Sequence, residues 1–158
     1  MPQITLAHLA QFVGKELGVS GWLNVDQSRI NQFADCSGDR QWIHVDVERA
    51  KRESPYRAPI AHGHLILSLV APLQMEIGAF SESGAAPLNI ILLGLDKVRF
   101  VVPVKAGARI RLRVVLIEVE AKNRCALLKM NNTLEIEGSK KPALTVQSLM
   151  LLTRSKGA

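Results

Sequence analysis

Hydrophobic and polar positions follow two different periods along this chain, and the change of period divides it. Between residues 5 and 17, Leu6, Leu9, Phe12, Val13 and Leu17 recur at helical spacing, which predicts an amphipathic helix ended near Gly18. Gly21-Trp22-Leu23-Asn24-Val25 reads as a short strand. Asp26 is suited to cap a helix whose apolar face is Ile30, Phe33 and Ala34, and which stops at Ser37-Gly38, where glycine takes positive φ without strain. Asp46 is suited to cap a second, short helix through about Lys51, and residues 52–59, with Pro55 and Pro59, read as a loop. Residues 63–77 are almost wholly apolar, which predicts a helix buried on every side. Pro72 should bend it or displace one of its backbone hydrogen bonds.

After a Gly-, Ser-, Ala- and Pro-rich loop at residues 78–87, the pattern turns strand-like. Segments 89–102, 108–121, 124–137 and 143–153 are the candidate strands, and Ile110-Arg111-Leu112-Arg113-Val114 alternates as a half-exposed sheet face does. Lys122-Asn123 and residues 138–142 suit antiparallel hairpin turns. One long apolar helix needs a large surface to cover it, and a twisted antiparallel sheet of about four to six strands supplies one. The expectation is an α+β chain, residues 1–158 forming a single domain. There is no strand–glycine-loop–helix unit of the dinucleotide-binding kind.

Composition narrows the function classes. Aromatic residues make up only 4% of the chain, which leaves few stacking platforms for a nucleic acid. The formal charge of +6 is spread over the whole length, and such a field suits a polyanionic small molecule as well as a nucleic acid, or simply a solvated surface. Cys36 and Cys125 are too few for a disulfide framework or a zinc site. No signal-peptide pattern opens the chain, and no apolar run reaches the ~20 residues of a membrane span. The expectation from these features is a soluble, reduced, cytoplasmic protein with neither a nucleic-acid nor a membrane partner.

The chemistry concentrates between Phe33 and His64, where three of the four histidines fall. Asp39, taken alone, reads as an Asx-turn or as an ion-pair partner of Arg40, and His44, flanked by Ile43 and Val45, reads as a structural histidine. Taken together, an Asp and a His can hold one water, one accepting its proton and the other orienting it or returning a proton. Gly63 opens the apolar helix. The first amides of a helix lack internal partners and carry partial positive charge, so a thioester oxygen could be held there; alternatively Gly63 only permits close helix–sheet packing. His62 and His64 are two residues apart, which puts them on different sides of a helix, and no metal site is expected of them.

The run Phe33-Ala34-Asp35-Cys36-Ser37-Gly38-Asp39-Arg40-Gln41-Trp42-Ile43-His44, with Ala50 and Ile60-Ala61-His62-Gly63, resembles the MaoC-like hydratases, the hot-dog-fold (R)-specific enoyl-CoA hydratases and dehydratases. Gly94-Leu95-Asp96-Lys97-Val98-Arg99-Phe100, followed by Pro103-Val104 and Gly107, is similar to a strand of the same family. The resemblance implies a curved antiparallel sheet wrapped around a central helix at residues 63–77, and a homodimer. It implies Asp39 and His44 as the catalytic pair, the Gly63 amide as the thioester-oxygen donor, and Ser68 and Ala71 facing an acyl tunnel. Where the family most often has Asn-Pro, this chain has Gln41-Trp42, which resembles the NodN-like branch and sets Trp42 beside the acyl pocket.

The implied reaction is reversible addition of water to a trans-2-enoyl thioester, carried on coenzyme A or an acyl carrier. Neither a metal nor a redox cofactor is implied, and coenzyme A enters only as part of the substrate. Two other classes fit the same fold: an acyl-CoA thioesterase, and an acyl-CoA-binding accessory protein without turnover. The loop at residues 78–87 is a candidate gate.

Overall fold

The computed structural model describes residues 9–78, 88–122 and 125–154. One antiparallel sheet contains β1 (Glu16–Val19), β2 (Leu23–Val25), β3 (Leu88–Phe100), β4 (Ala108–Lys122), β5 (Cys125–Ile136) and β6 (Leu144–Arg154). Its order is β1-β4-β5-β6-β3, with β2 also pairing with β4, and it does not close into a barrel. The helices are α1 (Gln27–Ser37), α2 (Trp42–Val45), α3 (Val47–Glu53), α4 (Gly63–Ser68) and α5 (Val70–Ile77). This is the α+β, hot-dog arrangement expected: a sheet packed around a central helix.

Strict alternation builds the core. In β5, Ala126, Leu128, Met130, Asn132 and Leu134 are buried and their neighbours are not. These inward side chains meet Leu65, Ile66, Leu69, Val70 and Leu73 of the central helix. Each such aliphatic side chain contributes ~1.5–3 kcal/mol on full burial. Among the described residues, no helix is long and apolar enough to cross a membrane.

Two expectations need correction. The helix expected over residues 5–17 is, in its described part, a 3-10 turn at Leu9–Phe12 followed by β1. Gly14 adopts φ +81° and turns the chain. Backbone bonds between Gly14 and Leu116 (2.8 Å) and between Leu116 and Lys15 (3.1 Å) then satisfy the edge of β4. A sheet edge offers a row of unmet donors and acceptors, and satisfying it outweighs a helical period that placed Val13 inside; Val13 is 44% exposed.

The apolar segment 63–77 is likewise not one helix buried all round. It breaks at Leu69 between α4 and α5. Pro72 has no N–H to give the Ser68 carbonyl, so one ladder bond is displaced there, as expected, while the Leu69 amide still donates to the Leu65 carbonyl (3.2 Å) and the Leu73 amide to the Leu69 carbonyl (3.3 Å). Only one side is covered by the sheet: Ser68, Ala71, Pro72 and Met75 stay exposed.

The other local expectations hold. The Asp26 side chain accepts from the Arg29 amide, and the Asp46 side chain accepts from the Arg49 amide, each at its helix start. The β4–β5 hairpin has Lys122 opposite Cys125. Its tip at 123–124, and residues 79–87 of the candidate gate, lie outside the described residues.

Gly38 closes α1 in the left-handed region, φ 81°, with its amide donating to the Ala34 carbonyl. A Cβ there would meet nothing within 4 Å, so backbone conformation alone sets the cost of replacing it. Gly38→Ala should lose about 1 kcal/mol in urea unfolding, and Gly38→Asn should recover part of it. An unchanged midpoint for Gly38→Ala would contradict this cap.

Candidate active site

Asp39 leaves the end of α1 in a fixed turn. Its amide donates to Ser37 Oγ (3.3 Å), and its Oδ1 accepts from the Gln41 amide (3.3 Å). Of the two structural roles considered for it, the Asx-turn is present and the Arg40 pair is not, because Arg40 binds Asp35 at 2.8 Å. The turn occupies one lone pair of an exposed carboxylate, and its remaining acceptor capacity is unspent by that bond.

The sequence reading missed α2, a single turn that follows directly. It carries His44 inward to 7% exposure. His44 Nδ1 lies 2.6 Å from the Ile60 carbonyl oxygen. A carbonyl only accepts, so Nδ1 carries the proton and Nε2 keeps a lone pair. Ile60 is itself held, its amide donating to the Ile43 carbonyl (3.1 Å) and its backbone paired with Lys105 in an isolated antiparallel bridge. Burial is the main cause that lowers the His44 pKa from its ordinary 6.5, and His62 adds to the lowering; the Ile60 bond and Asp39 oppose it. His44 is therefore a neutral imidazole near pH 7.

His62 considered only as a metal ligand would miss its place here. It is 2% exposed, and its ring stacks on His44 with centroids 3.8 Å apart. Phe33 packs against it at 5.0 Å. His62 Nε2 donates to the backbone carbonyl of Asp39 at 2.9 Å, and His62 is also the N-cap residue of α4. One side chain thus ties together the Asp39 turn, the His44 ring and the start of the central helix. Nothing in the spacing of His62 signalled this, since its partners are a main-chain oxygen and another ring.

A carboxylate oxygen of Asp39 and one ring nitrogen each of His44 and His62 lie within 4.8 Å of one another. A single water makes two hydrogen bonds across such a gap. The trio suits a metal poorly: His62 Nε2 is engaged, and rings stacked 28° from parallel set their in-plane lone pairs side by side rather than convergent. His64 is exposed on another side of α4.

Gly63 begins α4, with Phe100 covering it. A Cβ at Gly63 would sit 3.2 Å from the Phe100 ring. A cavity of about 380 Å³ is lined by both His44 and Gly63, with Tyr56, Ile66, Phe100 and Pro103. Asp39 is not among its lining side chains. Ser68 and Ala71 line a second, more apolar cavity of about 290 Å³ across α4, with His64 and Leu67. Trp42 lines neither cavity; Arg49 lies over its ring at 4.4 Å.

A family model described as MaoC like domain matches residues 8–138. Nodulation protein N of Rhizobium meliloti is 42% identical over 147 residues, 92% of this chain and 89% of that protein. The 3-hydroxyacyl-thioester dehydratase Z of Mycobacterium tuberculosis is 40% identical over 147 residues, 92% of this chain and 94% of that protein. Among solved structures, an (R)-hydratase from A. caviae involved in PHA biosynthesis superposes with TM-score 0.69 at 22% identity, covering 87% of this chain and 94% of that one. That last likeness is one of fold.

The lowered His44 pKa carries a sign for stability. In the unfolded chain this histidine takes up a proton below about 6.5, where the folded protein still resists it. The His44 contribution is therefore complete above that value and is lost as pH falls from it toward the folded pKa. Urea unfolding from about pH 7.5 to about pH 5.5 should show stability declining with acidity, with a shallower decline in His44→Gln. An equal slope in the variant would contradict the assignment.

Proposed function

The chain belongs to the MaoC-like domain family, and from that premise we propose that it is an (R)-specific enoyl-CoA hydratase, a hydro-lyase acting on trans-2-enoyl thioesters. The observation that carries the reading is the pair itself: the Asp39 carboxylate and a ring nitrogen of His44 lie within 4.8 Å, with His44 Nδ1 occupied by Ile60. Both facing groups are then acceptors, Asp39 as carboxylate and His44 through Nε2. A water between them donates both hydrogens and is left with its oxygen lone pair directed at a substrate.

That oxygen attacks C3 of the enoyl thioester. One of the pair takes a proton from the water as the C3–O bond forms, and the π electrons move toward the thioester carbonyl. The Gly63 amide stabilises the enolate oxygen that develops. The protonated member of the pair then delivers a proton to C2, giving the 3-hydroxyacyl thioester; dehydration is the reverse. The reading calls for no metal or redox cofactor, and coenzyme A, or an acyl carrier, enters as part of the substrate. The phosphates of coenzyme A confine the substrate to an aqueous compartment, consistent with a cytoplasmic protein.

The reading includes a homodimer. β3 ends the sheet, and Ile91, Leu92, Leu93, Phe100 and Val101 on or just beyond it are 45–53% exposed. An apolar edge strand of 13 residues is a liability unless a second copy pairs with it. Such pairing lies beside Phe100 and the Gly63 cavity. A second reading, an acyl-thioester-binding accessory protein, is favoured by the similarity to nodulation protein N.

The test is the loss of enoyl absorbance with crotonyl-CoA and a longer trans-2-enoyl-CoA, with thiol release followed alongside. The expected result is enoyl loss without thiol release, reduced by ~10²–10⁴-fold in Asp39→Asn. Thiol release would make the protein a thioesterase. Silence in both assays together with tight acyl-CoA binding would make it the accessory protein.

A further inference from the structure

Two non-glycine residues among those described have backbone φ in the left-handed region, Arg57 (φ 54°) and Lys97 (φ 51°). Lys97 lies where the register of β3 against β6 shifts between Asp96 and Arg99, and such a bulge accounts for it. No sheet register constrains Arg57. It closes a turn built on Ser54, a residue 1% exposed. The Ser54 Oγ accepts from the Tyr56 amide (3.2 Å), and the Ser54 carbonyl accepts from the Arg57 amide (3.0 Å). Glycine would sit at Arg57 without strain, so an arginine here costs backbone energy that only its side chain can offset.

The position stands beside the mouth of the cavity that holds His44 and Gly63. Tyr56 lines that cavity and is half-buried, whereas Ile60 and Ala61, further in, are buried. Consecutive Cα atoms are about 3.8 Å apart, so Arg57 is directly outside the wall. A second lining segment, residues 100–104, is tied to this one. Ile60 and Lys105 form the antiparallel bridge, and the Ala106 amide donates to the Pro59 carbonyl (2.9 Å). Lys105 follows the cavity-lining Val104 and is exposed.

Positive charge is left over at this rim. Both acidic residues of α3 are taken, Glu48 by Lys51 (2.9 Å) and Glu53 by Arg49 (2.7 Å). Arg52, Arg57 and Lys105 are exposed, and none pairs with a carboxylate among the described residues. Arg57 Nη1 donates to the Arg52 main-chain carbonyl (2.9 Å) in the last turn of α3. That bond caps the helix, which is a structural reason for the residue, but it leaves other guanidinium donors unspent and holds them in place.

We propose that Arg57 and Lys105, with Arg52 adding to their field, bind a phosphate of the substrate's carrier where its pantetheine arm leaves the cavity past Tyr56. The inference rests on the acyl-thioester reading above and deepens it, by naming where the phosphorylated end lies. With the thioester at Gly63, the carrier's charges must lie outside a largely apolar wall. A guanidinium fork and an ammonium both match phosphate oxygens. The phosphate belongs either to coenzyme A or to the 4′-phosphopantetheine arm of an acyl carrier.

The experiment measures kcat/KM for crotonyl thioesters of coenzyme A, 3′-dephospho-coenzyme A, 4′-phosphopantetheine and pantetheine, the last of which has no phosphate. Binding of the corresponding butyryl thioesters is followed by calorimetry. Arg57→Gly keeps the turn, because glycine takes φ 54° freely, and Lys105→Gln is the second variant. In each, the preference for coenzyme A over pantetheine should fall about tenfold, through KM. Loss of the helix cap alone would affect both thioesters alike and leave their ratio unchanged. A penalty that vanishes with 3′-dephospho-coenzyme A assigns the ribose phosphate. One that persists with phosphopantetheine assigns the phosphate that a carrier protein also brings. An unchanged ratio in either variant overturns the proposal, as does an equal fall in Lys129→Gln, whose lysine lies on β5 between the inward Leu128 and Met130. If no crotonyl thioester is hydrated but butyryl-CoA binding shows the same dependence on Arg57, the hydratase reading fails and this one stands. Absence of binding by every butyryl thioester overturns both.

Discussion

The hydrogen bond from His62 Nε2 to the Asp39 carbonyl fixes the geometry on which the rest of the site depends. Asp39 lies on a turn whose own bonds to Ser37 and Gln41 are long at 3.3 Å. The shorter bond to His62, a ring 2% exposed and packed between Phe33 and His44, anchors that turn to the core. The same ring stacks on His44 and precedes Gly63. The Asp39 turn, the His44 imidazole and the start of α4 are thereby set relative to one another by one buried side chain. Two imidazoles stacked at 3.8 Å cannot both be charged at low cost, which agrees with the direction of the His44 shift.

The fold serves this arrangement through division of labour along α4 and α5. One side, with Leu65, Ile66, Leu69, Val70 and Leu73, closes the core against the sheet. The other side, with Ser68, Ala71 and Met75, remains open. The break at Leu69 separates a short helix that presents Gly63 from a second that carries Gln74 to the buried Asn132 and Ser148. The cost of burying those three polar groups is offset by the bonds they make to one another and to the Met130 and Val146 carbonyls.

Much of this was legible in the residues. Capping by Asp26 and Asp46, the stop at Gly38 and the four long strands each follow from local chemistry and alternation. Asp39 and His44 stand out by type and spacing. What could not be read depended on partners distant in sequence. The N-terminal segment kept a helical period but was claimed by the open edge of β4 at Leu116. The apolar run at 63–77 looked buried all round because composition does not say how many faces the sheet will cover. His62 and Gln74 gained their roles from a main-chain carbonyl 23 residues away and an amide 58 residues away. Trp42, inside the motif between Asp39 and His44, packs instead under Arg49.

If one water is held between Asp39 and His44, and the same pair returns a proton, hydroxyl and hydrogen must arrive on one face of the double bond. Hydration of a trans-2-enoyl-CoA in deuterium oxide, with the product configuration read by NMR, tests this most directly. The account predicts a 3R hydroxyl with deuterium added at C2 on the same face. Addition to opposite faces, or a 3S product, would contradict it.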